Sequence, residues 1–368
     1  MKQLHASWGA ACLGLLGLLE ACTTAPSDPS SARLQHVGLQ RLSLTDPERL
    51  NWASDAPRPL NTMIWYPARR SAEMEPITIP PDAPLFIGGE AAPGARINRE
   101  TRHPVVMLSH GTGGSAFQMM WLGRALAEHG YIAIAVDHHG NTAVEPDLDP
   151  RSFAYWWERA RDISALLDIL ETDAVWSDRM DWTNISAAGF SIGGYTTAIL
   201  AGARTDRDQF FAFCASDQRD GTCEPQLEYP TAQQEFQDIA ETDPSLIEKL
   251  NDDALDWSDA RIQKFVLIAP APGMALTDDS LSAINHPGLI IGGASDKVAP
   301  IASNAGRIAS LWENADLQTL QDVTHYDFLN SCTERGIEFT PVCQGGSYNK
   351  TAAHNAAIAL TLAFLGGE

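Results

Sequence analysis

The sequence is short of several things, and each shortage excludes a class of protein. Its N-terminal apolar stretch, residues 7–19 (SWGAACLGLLGLL), falls short of the roughly 20 apolar residues that a spanning helix needs. Basic residues are scarce: 25 Lys and Arg stand against 47 Asp and Glu, a formal net charge of −22. That balance excludes nucleic acid as a partner and electrostatic adhesion to anionic lipid, and it disfavours strongly anionic substrates. Only six cysteines occur, none with zinc-ligand spacing, so no metal site is expected. No internal repeat stands out. A chain of 368 residues is long enough for one sizeable core.

The N-terminus reads as a processing segment. Lys2 supplies a positive start, the apolar stretch follows, and Leu19-Glu20-Ala21-Cys22 resembles a bacterial lipobox. The expectation is a signal peptide over 1–21, Cys22 lipidated as the first mature residue, a polar tether over 22–32 and one domain over 33–368. The protein is then exported and held at the cell-envelope membrane through an N-terminal lipid anchor; ordinary cleavage to a secreted or periplasmic form is the alternative. Cysteine usage agrees with export. Cys214, Cys223, Cys332 and Cys343 remain after the leader, and four cysteines allow three pairings. The local ones, Cys214–Cys223 and Cys332–Cys343, close short loops, each contributing on the order of 2–3 kcal/mol.

Apolar runs alternate with helical patterns along the chain. Strands are expected near 34–44, 60–67, 104–109, 131–137, 184–189, 264–269, 287–292 and 316–321. Helices are expected near 116–130, 151–172, 192–204, 301–313 and 350–365. Such alternation predicts an α/β fold, a mostly parallel sheet flanked by helices, with ligands bound at the carboxyl ends of the strands.

Chemistry-bearing residues follow those strand ends. Ile185-Ser-Ala-Ala-Gly-Phe-Ser-Ile-Gly-Gly-Tyr195 reads as strand, Gly-x-Ser-x-Gly, then helix. That junction lifts a serine hydroxyl clear of the backbone and makes Ser191 the candidate nucleophile. A Gly-rich loop, His110-Gly-Thr-Gly-Gly114, follows an earlier strand and offers inward N–H groups. With the residue after the serine, it nominates the Thr112 and Ile192 N–H groups as an oxyanion hole. Asp296 ends the strand around Leu289–Ile291 and is the candidate acid, with Asp137 as the other choice. His325, in Asp322-Val-Thr-His-Tyr-Asp-Phe328, is the candidate base. The order Ser, Asp, His suits nucleophilic catalysis supported by an oriented imidazole. His110, Gly111, His138 and Tyr195 are expected to line the substrate site. His139 is grouped with His138; His36, His103 and His129 read as surface or strand-edge residues, and His354 as a satisfied or exposed one.

Five motifs carry a family resemblance: Leu108-Ser-His-Gly-Thr-Gly-Gly114, Val136-Asp-His-His-Gly-Asn-Thr142, Gly189-Phe-Ser-Ile-Gly-Gly194, Gly293-Ala-Ser-Asp296 and Thr324-His325. The chain resembles the bacterial dienelactone-hydrolase-like and platelet-activating-factor-acetylhydrolase-like branch of the α/β-hydrolases over roughly residues 33–367. The resemblance implies the α/β-hydrolase fold, a Ser191–Asp296–His325 triad and cleavage of carboxylic esters without a cofactor. True dienelactone hydrolases use a cysteine nucleophile, so Ser191 departs from them. Serine also sets the chain apart from the haloalkane dehalogenase and epoxide hydrolase branches, which use aspartate at the elbow.

Residues 205–260 are acidic and carry Phe210, Phe211, Phe213, Tyr229, Phe236 and Trp257. They read either as an inserted lid whose aromatic face covers the acyl site or as a solvated decoration. Phe153, Tyr155, Trp156 and Trp157 read either as pocket wall or as core. The expected activity is hydrolysis of short- to medium-chain esters, the substrate being a small-molecule or lipid ester. Rivals are a phospholipase A2-like acetylhydrolase on short-chain or oxidised phospholipids and a non-catalytic envelope binding lipoprotein.

Overall fold

A computed structural model describes residues 35–69, 71–98, 101–344 and 350–367. The expected signal segment, the lipidation site Cys22 and the tether lie outside the described residues. No helix among the described residues is long and apolar enough to cross a membrane.

The described residues form an 11-stranded sheet: β1 (His36–Leu50), β2 (Pro57–Ala68), β3 (Glu75–Ile79), β4 (Phe86–Pro93), β5 (His103–Ser109), β6 (Ile132–Val136), β7 (Met180–Phe190), β8 (Ile262–Ile268), β9 (Gly288–Gly293), β10 (Ala315–Leu320) and β11 (Ser331–Cys332). Their spatial order is β10-β9-β8-β7-β5-β6-β2-β1-β4-β11, with β3 beside β4. From β10 to β6 every neighbouring pair is parallel. Beyond β6, the β2–β6 and β1–β2 pairs are antiparallel.

Parallel strands are covered on both faces, so they read as unbroken apolar runs rather than alternating ones. β6 and β9 are buried at every residue. Alternate side chains feed two cores. Val105 and Met107 of β5 join the core capped by helices Glu158–Thr172 and Ile192–Leu200. Val106 and Leu108 join the opposite one, under helices Met120–Glu128 and Lys350–Gly366.

The helix expected over 151–172 is two helices, Pro150–Ala154 and Glu158–Thr172. Tyr155 leaves helical geometry at the break, and its hydroxyl donates to the Leu246 carbonyl at 2.8 Å. Tyr155 and Trp157 pack with Phe236 in a small separate core, so burial of large rings overrides the helical pattern there. Strands β3, β4 and β11 were not expected. β4 (FIGGEAAP) carries two glycines and a proline and shows little apolar periodicity, so its pairing with β3 and β1 is a tertiary effect. His103 is buried rather than exposed, its ring nitrogens against the Gly130 and Asn98 carbonyls at 2.9 and 3.1 Å.

Segment 205–260 lies between adjacent strands β7 and β8 and folds mainly as short helices, among them Arg207–Cys214, Ala232–Thr242 and Ser245–Lys249. Two disulfides are present, Cys214–Cys223 and Cys332–Cys343.

Candidate active site

Ser191 sits between β7 and the helix Ile192–Leu200 with φ +58° and ψ −122°, a conformation costly for a residue with a side chain. Its surroundings enforce it. The Ser191 N–H donates to the Ile268 carbonyl at 2.9 Å, and its carbonyl accepts from the N–H groups of Gly194 and Ala271 at 2.8 and 3.2 Å. The flanking glycines permit this packing. A Cβ at Gly189 would lie 2.0 Å from the Gly193 oxygen, and one at Gly193 would lie 2.0 Å from the Ser109 oxygen.

The structure brings Ser191, His325 and Asp296 together. His325 Nε2 is 3.0 Å from Ser191 Oγ, and Nδ1 is 2.7 Å from Asp296 Oδ2. All three residues are buried. Asp296 Oδ1 accepts the N–H groups of Val298 and Ala299 at 2.9 and 2.7 Å, which fixes the carboxylate. His325 is fixed by its own turn: Thr324 and Asp327 form a reciprocal cap, with Thr324 N–H donating to Asp327 Oδ2 at 2.8 Å. The Phe190 ring lies 4.9 Å from the imidazole, centre to centre. Asp137, the other candidate acid, is elsewhere. It accepts the Ala116 N–H at 2.6 Å, and burial pushes its carboxyl up to about 6.

The Gly-rich loop places its donors unequally. Gly111 N–H goes to Gln118 Oε1 at 2.6 Å and Gly113 N–H to Asn141 Oδ1 at 2.7 Å. Between them the Thr112 N–H has no partner among the described residues, and neither has the Ile192 N–H. Thr112, Ile192 and Ser191 all line one cavity of about 490 Å³.

That cavity is walled by rings: Phe153, Trp156, Phe210, Phe211, Tyr229 and Phe236, with the Cys214–Cys223 disulfide. Of the aromatic quartet at 153–157, Phe153 and Trp156 face the cavity, whereas Tyr155 and Trp157 are core. Much of the wall belongs to segment 205–260. That segment is also tied to the loop after Asp296: Asn304 Nδ2 donates to Thr222 Oγ1 at 2.8 Å, and Ser303 bonds Asp220.

Four residues expected in the substrate site stand behind it instead. His110, Gly111, His138 and Tyr195 are buried, and none lines the cavity. Tyr195 turns inward because its hydroxyl finds Thr205. His138 is sandwiched between Asp162 Oδ2 at 3.0 Å and Ser109 Oγ at 2.9 Å. Burial, reinforced by Arg159, pulls its imidazole down to about 3. His110 accepts the His138 N–H on Nε2 at 3.1 Å and is likewise held neutral by burial and Arg159. Gly111 packs against Phe190, where a Cβ would be 3.0 Å from the ring. His139 caps a turn, its Nδ1 2.8 Å from Glu145 Oε1. His354 is buried and stacks on Trp121 at 4.4 Å.

Sequence reading missed a buried ionic group beneath this loop. Asp162 is paired with Arg58 at 2.7 Å and Arg49 at 2.8 Å, and burial notwithstanding, those two cations hold its carboxyl well below the usual range. Arg159 lies alongside, donating to the His110 carbonyl and, at 3.3 Å, to Thr196 Oγ1.

Sheet order, helical layers and the strand-end site together define the fold class, the α/β-hydrolase fold. A solved structure, the ferulic acid esterase from Streptomyces cinnamoneus, is similar with a TM-score of 0.56 over 93% of this chain and 92% of its own, at 18% identity. Among curated proteins, cutinase est1 of Thermobifida alba is 28% identical over 155 residues, 41% of this chain and 47% of the cutinase. Cutinase 2 of Thermobifida cellulosilytica is 33% identical over 103 residues, 27% of this chain and 35% of that enzyme. The chain thus spans less than half the length of these relatives. No protein-family model matches it.

Proposed function

We propose that this protein is a serine carboxylic-ester hydrolase acting on short- to medium-chain esters. The observation that carries the reading is the hydrogen-bonded series Ser191 Oγ, His325 Nε2, His325 Nδ1, Asp296 Oδ2 beside two unpartnered N–H groups. His325 takes the Ser191 proton as the hydroxyl attacks the ester carbonyl, and Asp296 supports the resulting imidazolium. The carbonyl oxygen becomes negative between the Thr112 and Ile192 N–H groups. His325 then protonates the departing alcohol, and water repeats the cycle on the acyl-enzyme. An apolar cavity of about 490 Å³ suits an acyl chain of modest size. Segment 205–260 acts as its lid.

Partial likeness to cutinases supports ester hydrolysis, and the motifs around Ser191 and His110 support the dienelactone-hydrolase-like and platelet-activating-factor-acetylhydrolase-like branch. Both disulfides fit an exported protein; anchoring through a lipidated Cys22 belongs to the same reading.

The test is hydrolysis of p-nitrophenyl esters from acetate to dodecanoate by the protein and by Ser191→Ala. Activity abolished by the substitution, with an optimum at short or medium chains, is the expected result. A folded protein inert on every ester and unreactive toward a fluorophosphonate probe overturns it in favour of a binding role.

A further inference from the structure

Arg207 is the one cationic side chain among the described residues that line the cavity. It is held rigidly. Nε donates to Asp253 Oδ2 at 2.8 Å, and Nη2 reaches Asp253 and the Ala154 carbonyl. Its guanidinium carbon lies 4.3 Å from the centre of the Trp156 ring, and that indole is itself fixed by donation to the Phe153 carbonyl at 2.7 Å. Nη1 has no hydrogen-bond partner among the described residues.

A buried ion pair in an apolar wall contributes little to stability, because desolvation cancels most of the attraction. The cost is visible here: burial pushes the Asp253 carboxyl up to about 6 in spite of Arg207. Apolar side chains would fill this wall as well, so the pair's distinguishing property is the donor it presents. With Asp253 ionised the pair is neutral overall, and the chain carries −22 besides. The site therefore favours an uncharged acceptor over an anion.

The acyl part is the part that reaches this donor. Ser191, Thr112 and Ile192 line the cavity and His325 does not. The leaving alcohol must meet His325 to be protonated, so it departs on the far side of Ser191. We propose that Arg207 forms an acyl subsite that selects esters carrying a second, uncharged oxygen acceptor, a ketone, ether or further ester carbonyl, along the acyl chain. This rests on Ser191 being the nucleophile.

The experiment compares p-nitrophenyl alkanoates with matched oxoalkanoates, in which a ketone replaces one methylene at successive positions. The quantity read is the ratio of kcat/KM for each matched pair. A hydrogen bond to a charged donor corresponds to about 10- to 100-fold. The expected result is a preference of that size for the ketone at one position in the unmodified protein. In Arg207→Met the ratio falls to about one, whatever the absolute rate, because the donor is gone. A second variant, Asp253→Asn, keeps the guanidinium and removes its counter-charge; it is expected to raise the rate on a carboxylate-ended acyl ester about tenfold relative to the plain ester. No preference at any position, an unchanged ratio in Arg207→Met, or an unchanged carboxylate ratio in Asp253→Asn overturns the subsite. Failure of the nucleophile reading shows separately, as plain-ester hydrolysis that survives Ser191→Ala.

Discussion

Asp296 shows how far one side chain's two oxygens are committed. Oδ1 is claimed by the N–H groups of Val298 and Ala299, so only an acceptor fits there. In Asp296→Asn the amide oxygen must take that place, and the amide NH2 then faces His325 Nδ1. The imidazole is left with its proton on Nε2 and cannot accept one from Ser191. Activity on p-nitrophenyl butyrate should fall by about 10⁴ with the fold intact; a loss under tenfold rules the argument out. Arg159 is the less obvious case. No ion pair engages it among the described residues, its Nη1 is buried without a partner, and burial pulls its guanidinium down to about 9. It joins the His110 carbonyl, two residues before Thr112, to Thr196 on the helix that follows Ser191. Arg159→Met should lower kcat by about tenfold, less than outright loss of an oxyanion donor, and leave KM nearly unchanged. Equal loss in both parameters would mean that the cavity itself had been deformed.

At the scale of elements, what the sequence made legible follows a rule. Ser191 and Asp296 each come shortly after a continuous buried run, and His325 after the short alternating strand β10, and periodicity finds both kinds of strand. Arg159, Asp162 and Arg207 lie on helices, where a charged residue looks like solvated surface; their partners lie far off in the sequence, as with Arg58 and Asp162, 104 residues apart. The same limitation explains Tyr195, whose neighbour Thr205 is invisible to a motif. Strand β4 was lost for a related reason, since glycine and proline interrupt its pattern. Segment 205–260 was legible as an insertion, but not as something docked on the acid loop. A Cβ at Gly221 would meet the Lys297 oxygen at 1.7 Å, beside Asp296. Gly221→Ala should therefore lower stability by about 1–3 kcal/mol, seen as a reduced urea midpoint, and slow ester hydrolysis as the acid loop shifts. Unaltered stability would show that the two loops part freely.

For the whole molecule, buried titratable groups set the response to acid. Burial drives His138 and His354 down to about 3 and 4 and His110 well below its ordinary 6.5. The unfolded chain takes up those protons near 6.5, so each histidine costs the fold stability as pH falls below that value. Asp137 and Asp253 act oppositely. Both are raised to about 6, so the folded chain protonates them first and gains stability as pH falls from about 6 toward 4. Three histidines stand against these two carboxyls and that of Glu228, which burial also raises, so the net effect is at most one proton, a loss of no more than about 1.4 kcal/mol per pH unit between roughly pH 6 and 5. Urea midpoints at pH 7, 6 and 5 measure it. A midpoint that holds steady or rises toward pH 5 would mean that the histidines are not the governing groups.

The placement of the insertion has a further consequence. It leaves the sheet after the helix Ile192–Leu200 and returns at β8, the immediate neighbour of β7. Both ends therefore belong to a single crossover, and no other strand's register depends on what lies between them. The segment can therefore vary in length and sequence as one heritable unit, provided that the seat of Gly221 on Lys297 and of Thr222 on Asn304 is kept.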